Sequence, residues 1–170
     1  EMVGKINTTT DITLSKSLQN VKLSGLTVDV DSTGSLLEGG NLKTSFKSDI
    51  DVDLAAQLIS SEMITYTLNL AGDIAPVNPM EVSLESPMQM NLASMIMDLP
   101  AMQYSIPGSK GSGSLNLSNL DKSMPTVKLT LATDKFDATP WVSTGAVQTS
   151  MNEVTIEGIL LSIVSIHSAS

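Results

Sequence analysis

Three carboxylates at alternate positions, Asp49, Asp51 and Asp53, form the densest group of acidic ligands or acid–base residues in the chain. Their hard oxygens suit Ca²⁺. Residues two apart on a strand point the same way about 7 Å apart, whereas a calcium loop must curl to bring its ligands together. The spacing therefore favours a charged outer face that keeps the strand wet and discourages edge pairing. The single histidine, His167, lies beside the C-terminus. A zinc site would have to be mostly carboxylate, and a Ser-His-Asp triad would depend on that terminal residue alone. Asp134 and Asp137 offer a second carboxylate pair, but nothing in the sequence positions a partner for acid–base work. The Gly/Ser run around Ser112-Gly113 lacks the Lys-Ser/Thr ending of a phosphate-binding loop and reads as a turn. With 0 Cys there is no disulfide framework and no thiolate metal site. No catalytic residue, metal site or cofactor is assigned, and the chain is expected not to be an enzyme.

Composition narrows the partners. Hydrophobic residues make up 41% of the 170 residues but aromatics only 3%, so Leu, Ile, Val and 10 Met carry the apolar payload. The set Met88, Met90, Met95, Met97 and Met102 reads as filling for a core short of aromatics, or as a soft surface that accepts varied apolar partners. Net charge is −9, which excludes the basic footprint that nucleic acid requires and opposes adhesion to an anionic membrane surface. No run approaches the roughly 20 apolar residues of a membrane-spanning helix. No signal peptide is visible and the chain begins at Glu1, so a mature or excised piece is expected.

The elements that must position these residues are strands. Leu42, Thr44, Phe46, Ser48, Ile50, Val52 and Leu54 share one parity against Lys43, Ser45, Lys47, Asp49, Asp51 and Asp53. Side chains alternate across a strand, so this predicts one apolar and one charged face. Ile64, Tyr66, Leu68 and Leu70 repeat the pattern, as do Met80 to Leu92 and Val127 to Leu131. Val21 to Val30 changes parity at Ser24-Gly25, which predicts a bulge. Asp31 to Gly34 and Glu38 to Asn41 read as turns. Pro87 predicts an edge position or a bulge. Ala93 to Leu99 is expected to be a short helix stopped by Pro100, and Thr139-Pro140 to open another. The fold class is mainly β, a long antiparallel curved sheet (groove or open barrel-like) with one or two short helices. Val154 and Ile156 suggest a further strand.

The run Leu42 to Leu54 followed by Ile64 to Gly72, with Leu-Asn-Leu-Ala-Gly at 68–72, carries a family likeness. So do Gly111-Ser112-Gly113-Ser114-Leu115-Asn116-Leu117 and the passage from Met124-Pro125-Thr126 through Phe136-Asp137 to Trp141. Over about Leu23 to Val142 the chain resembles the AsmA-like proteins, bacterial envelope proteins related to repeating β-groove lipid-transfer proteins. The resemblance implies a periplasmic domain, anchored to the inner membrane by a segment outside this chain, acting in outer-membrane biogenesis or phospholipid transport. It implies that the apolar face shields lipid acyl chains. The lipid-facing candidates are then Leu42, Phe46, Ile50, Val52, Leu54, Ile64, Tyr66 and Leu68. Residues 1–170 are expected to be a single β-rich domain of a longer envelope protein. The alternative is a structural or adhesive β-sandwich module of the cell surface, whose apolar face is ordinary core.

Overall fold

The alternating segments pair with their sequence neighbours through short reversals, and the product is one meander. In the computed structural model, which describes residues 2–34, 37, 39–141 and 155–164, the strands lie in the order in which they occur in the chain. They are β1 (Met2–Leu14), β2 (Asn20–Gly34), β3 (Asn41–Asp53), β4 (Leu58–Ala71), β5 (Met80–Asn91), β6 (Ile96–Ile106), β7 (Ser109–Ser118), β8 (Thr126–Asp137) and β9 (Thr155–Val164). Every neighbouring pair is antiparallel, and the sheet does not close. The described residues form a single sheet with no second layer, and a 3-10 turn at Thr139–Trp141 is the element found where the sequence predicts a helix at Thr139-Pro140.

Registry places the apolar parities on one face. Val28 opposes Phe46, Phe46 opposes Tyr66, Tyr66 opposes Leu84, and Leu84 opposes Tyr104. Nearer the other strand ends, Val21, Val52, Ile59, Met90, Met97, Leu117 and Val127 follow one another from β2 to β8. Between these two bands β2, β4 and β6 each carry one extra residue. The bulges fall at Ser24-Gly25 in β2, Glu62-Met63 in β4 and Pro100-Ala101 in β6. Without them, a parity change would throw half of each strand's apolar side chains onto the other face.

The bulges recur every 38 residues, from Ser24 to Glu62 to Pro100, and the reversals keep the same step. Asp53 Oδ1 accepts the Ala56 N–H and Asn91 Oδ1 accepts the Ser94 N–H, each at 2.9 Å. Leu54 N–H donates to Gln19 O and Leu92 N–H to Gln57 O, each at 2.8 Å. Gln57 and Met95 both take positive φ, 53° and 52°. The repeat is thus a bulged strand plus a regular strand.

Most of the buried side chains line the bulge row. Ile64, Leu99 and Met102 retain 7%, 5% and 4% of their exposure, and Ser48, Ser61 and Ser86 are buried beside them. A bulged strand bends, and three bends in register crease the sheet along one line. The serines are small enough for the crease and satisfy its polar groups: Ser48 Oγ lies 2.8 Å from Ser61 Oγ, which accepts the N–H of the bulge residue Met63. Next to them Ser86 Oγ donates to Pro87 O at 2.7 Å.

Several expectations change. Ala93 to Leu99 is a turn leading into β6 and holds no helix, because pairing with β5 and β7 overrides helix propensity. Pro100 sits in the β6 bulge and does not end an element. Asp31 to Gly34 continues β2, since Asp31 and Thr33 find ladder partners in Lys43 and Asn41. The Gly/Ser run from Ser109 to Ser114, read as a turn, likewise remains within a strand. Pro87 lies in an interior strand, at the level where both neighbours bulge, so its missing N–H breaks no ladder there. The expected bulge at Ser24-Gly25 is present. Glu38, Val154 and residues 142–153 and 165–170, including His167, lie outside the described residues.

The glycines of β7 have a packing role. Tyr104 opposes Gly111, and its hydroxyl reaches past it to Ala132 O on β8 at 3.4 Å. A Cβ on Gly111 would meet the Ala132 carbonyl oxygen and come within 2.7 Å of the Tyr104 hydroxyl. Gly111→Ala is expected to lower unfolding free energy by about 1–3 kcal/mol, as overpacking does, while Ser112→Ala on the exposed face leaves it within about 0.5 kcal/mol. Urea denaturation of the two variants measures the contrast.

Candidate functional site

The sheet offers two surfaces, and the eight candidate residues fall mostly on one. Leu42, Phe46, Ile50 and Val52 on β3 share the apolar face with Ile64, Tyr66 and Leu68 on β4. Leu42 opposes Leu70, Phe46 opposes Tyr66, and Thr44 opposes Leu68. Ile64 belongs to the buried crease, and the other six are half-buried. Leu54 is not among them. β3 ends at Asp53, and Leu54 lies in the reversal with its backbone tied to Gln19 O and its side chain 52% exposed. The same face extends well beyond these residues, through Val28 and Val30 on β2, Val82 and Leu84 on β5, and Leu115 and Leu117 on β7. Of the methionines singled out in the sequence, Met88, Met90, Met97 and Met102 join it, while Met95 takes the positive-φ turn position. The 38-residue recurrence is the signal that extends the candidate face from two strands to the whole sheet.

The opposite face holds a cleft of about 570 Å³ across β1 to β6, lined among others by Asp29, Asp31, Lys43, Ser45, Asn69 and Glu81. Three of its charged groups, Asp31, Lys43 and Glu81, have partners nearby. Lys43 Nζ lies 3.6 Å from Asp31, Asn41 donates to Asp31 at 2.9 Å, and Asn69 donates to Glu81 at 3.2 Å. Ser45 Oγ is buried there without a hydrogen-bond partner. No sequence signal marked this cleft, because it is made by polar positions of six strands whose alignment depends on registry.

The three aspartates of β3 each have a structural partner. Asp49 Oδ1 accepts the N–H of Gly25, the bulge residue of β2, at 2.6 Å. Asp51 lies 3.7 Å from Lys22, its cross-strand neighbour, and Asp53 closes the following reversal through Ala56 N–H. β3 is an interior strand, so these carboxylates do not guard an edge. Among the described residues no three His, Cys, Asp or Glu side chains are grouped to hold a metal ion.

Asp137 is held below the ordinary carboxylate value. Hydrogen bonds from the Thr139 side chain and then from its backbone N–H, at 2.8 Å, pull its pKa down, assisted by Lys135. It fixes the reversal after β8, where Asp137 N–H also donates to Gly108 O and Trp141 Nε1 donates to Pro107 O. This explains the residue as a cap, and gives it no acid–base partner.

Comparison with family models, curated proteins and solved structures finds no match to this chain. No described helix is long and apolar enough to cross a membrane.

Two measurements check these assignments. Because all three β3 aspartates are engaged, millimolar Ca²⁺ is expected to leave the melting temperature unchanged; a rise of several degrees would contradict the assignment. A carboxyl with a lowered folded pKa stabilises above its unfolded value and loses that contribution as pH falls. Melting curves of wild type and Asp137→Asn should therefore differ most above about pH 4 and converge below it.

Proposed function

We infer that this chain is a β-groove element that shelters lipid acyl chains on its apolar face, as a non-catalytic part of a bacterial envelope system for outer-membrane biogenesis or phospholipid transport. One observation carries the reading: the apolar side chains of successive strands form a continuous surface on a single-layer, open sheet, and the described residues place no second layer over it. An apolar surface of that extent is unfavourable in water and marks an interaction site. Acyl chains suit it chemically, because they need no hydrogen bonds and conform to a soft lining of Leu, Val, Ile and Met. A β-sandwich module would need a second sheet to seal the same face. The envelope location and an anchor outside this chain belong to the same proposal and rest on the resemblance to AsmA-like proteins.

Organic extracts of the folded, monodisperse protein should contain phospholipid by mass spectrometry. An extract free of lipid, together with failure to bind an apolar dye, would overturn the reading. Tyr66→Glu, on the half-buried apolar face, should weaken dye and lipid binding about tenfold, since it places a charge where acyl chains lie. Lys47→Glu on the opposite face should leave binding unchanged.

A further inference from the structure

Six polar side chains lie in one row across the sheet, on the face opposite the apolar one. Asn7 of β1 opposes Asp29, Asp29 opposes Ser45, Ser45 opposes Thr67, Thr67 opposes Ser83, and Ser83 opposes Ser105 of β6. All six line the cleft of about 570 Å³ and form its floor. One step along the strands, Asp31, Lys43, Asn69 and Glu81 form a second row that walls the floor. The two rows differ in how they are satisfied. The wall residues pair with one another or with Asn41. None of the six floor side chains forms a hydrogen bond or ion pair with another described residue, although Asp29, Ser45, Ser83 and Ser105 are half-buried. A second cleft, of about 450 Å³, starts from the same Ser83 and Ser105 and runs past Gln103 to Lys110 on β7.

We propose that this trough binds a linear, uncharged glycan, laid across the strands with one sugar unit to each strand. Neighbouring strands lie about 4.8 Å apart, so the floor offers a polar group at that interval over a total of about 24 Å. An extended β-linked sugar chain advances by a closely similar step per ring. An extended peptide advances by about 3.3 Å per residue and falls out of phase. The hydrogen-bonding chemistry also matches. The four Ser and Thr hydroxyls and the Asn7 carboxamide each donate and accept, as sugar hydroxyls do. Asp29 accepts without donating, and its two oxygens suit two adjacent ring hydroxyls. It is the single charge of the floor, and on a chain of net charge −9 it turns away polyanions. Ser45 Oγ, buried and unpartnered, lies in the middle of the row, where a ligand hydroxyl relieves it. No aromatic side chain lines the cleft as a stacking platform, so hydrogen bonds carry the binding. Each exchanges with a bond to water, and a dissociation constant on the order of 1 mM is expected for six units. The site does not depend on what the apolar face shelters.

Titration of the isotope-labelled chain with cellohexaose, N-acetylchitohexaose, maltohexaose and glucose, followed by amide chemical shifts, tests it. A β-linked hexasaccharide should give saturable shifts at Asp29, Ser45, Thr67 and Ser83. Glucose and the coiled, α-linked maltohexaose should bind at least about tenfold more weakly, since neither spans the row. Thr67→Val, which keeps the shape and removes the hydroxyl, and Asp29→Asn should each weaken binding about fivefold to tenfold. Gln89→Ala, at an exposed position of β5 away from the cleft, should leave it unchanged. Circular dichroism checks that the variants remain folded. Absence of saturable shifts with both β-linked chains at millimolar concentration would overturn the proposal. So would glucose binding as tightly as the hexasaccharide, or full affinity in both floor variants. Stronger shifts of the same amides with spermidine would assign the floor to a cation and overturn it as well.

Discussion

The constraint on which this structure depends is the row of bulges across its strands. An antiparallel sheet whose side chains alternate strictly has no means of burying anything without a second layer. Here the extra residues at Ser24-Gly25, Glu62-Met63 and Pro100-Ala101 bend every second strand at one level. The bend gives the sheet an interior of its own, occupied by Ile64, Leu99 and Met102 and by three serines. Polar groups that a bulge detaches from the ladder must find other partners. Two of them do so through side chains: Asp49 takes the Gly25 N–H and Ser61 the Met63 N–H. At the same level Pro87 has no N–H to lose. The residues that look most chemical in the sequence, the β3 aspartates, are thus drawn into holding the backbone.

Much of the architecture was legible because strand periodicity survives in a single chain. The alternation from Leu42 to Val52 and from Ile64 to Leu70 identified two strands, and Gly25 marked the first bulge. The misreadings share one cause: a local pattern is ambiguous until the neighbouring strands are known. A stretch that spans a turn and a strand mimics helical spacing, as Met95, Ile96 and Leu99 do. Asp31 to Gly34 has turn composition, yet both of its neighbours offer ladder partners and it stays extended. Leu54 shares the parity of β3 but follows its last paired residue. Local sequence does not carry the information that decides these cases, since each depends on what lies alongside.

The polar cleft over β1 to β6 was hidden for the same reason. Its walls come from Asp31, Lys43, Asn69 and Glu81, which are far apart in the chain and adjacent only through registry. Those four groups pair with one another or with Asn41, whereas the large side chains of the apolar face are half-exposed. The imbalance between the two faces, more than any single residue, directs attention to the apolar one.

A sheet assembled from a 38-residue unit has no intrinsic end. Each unit adds one bulged and one regular strand, extends the crease by one step and leaves a new regular strand at the margin. β3 and β5 are regular strands flanked on both sides, and β1 is a regular strand flanked on one. The two kinds of strand therefore divide the work: the regular strands carry the continuous apolar face, and the bulged strands between them determine how it curves.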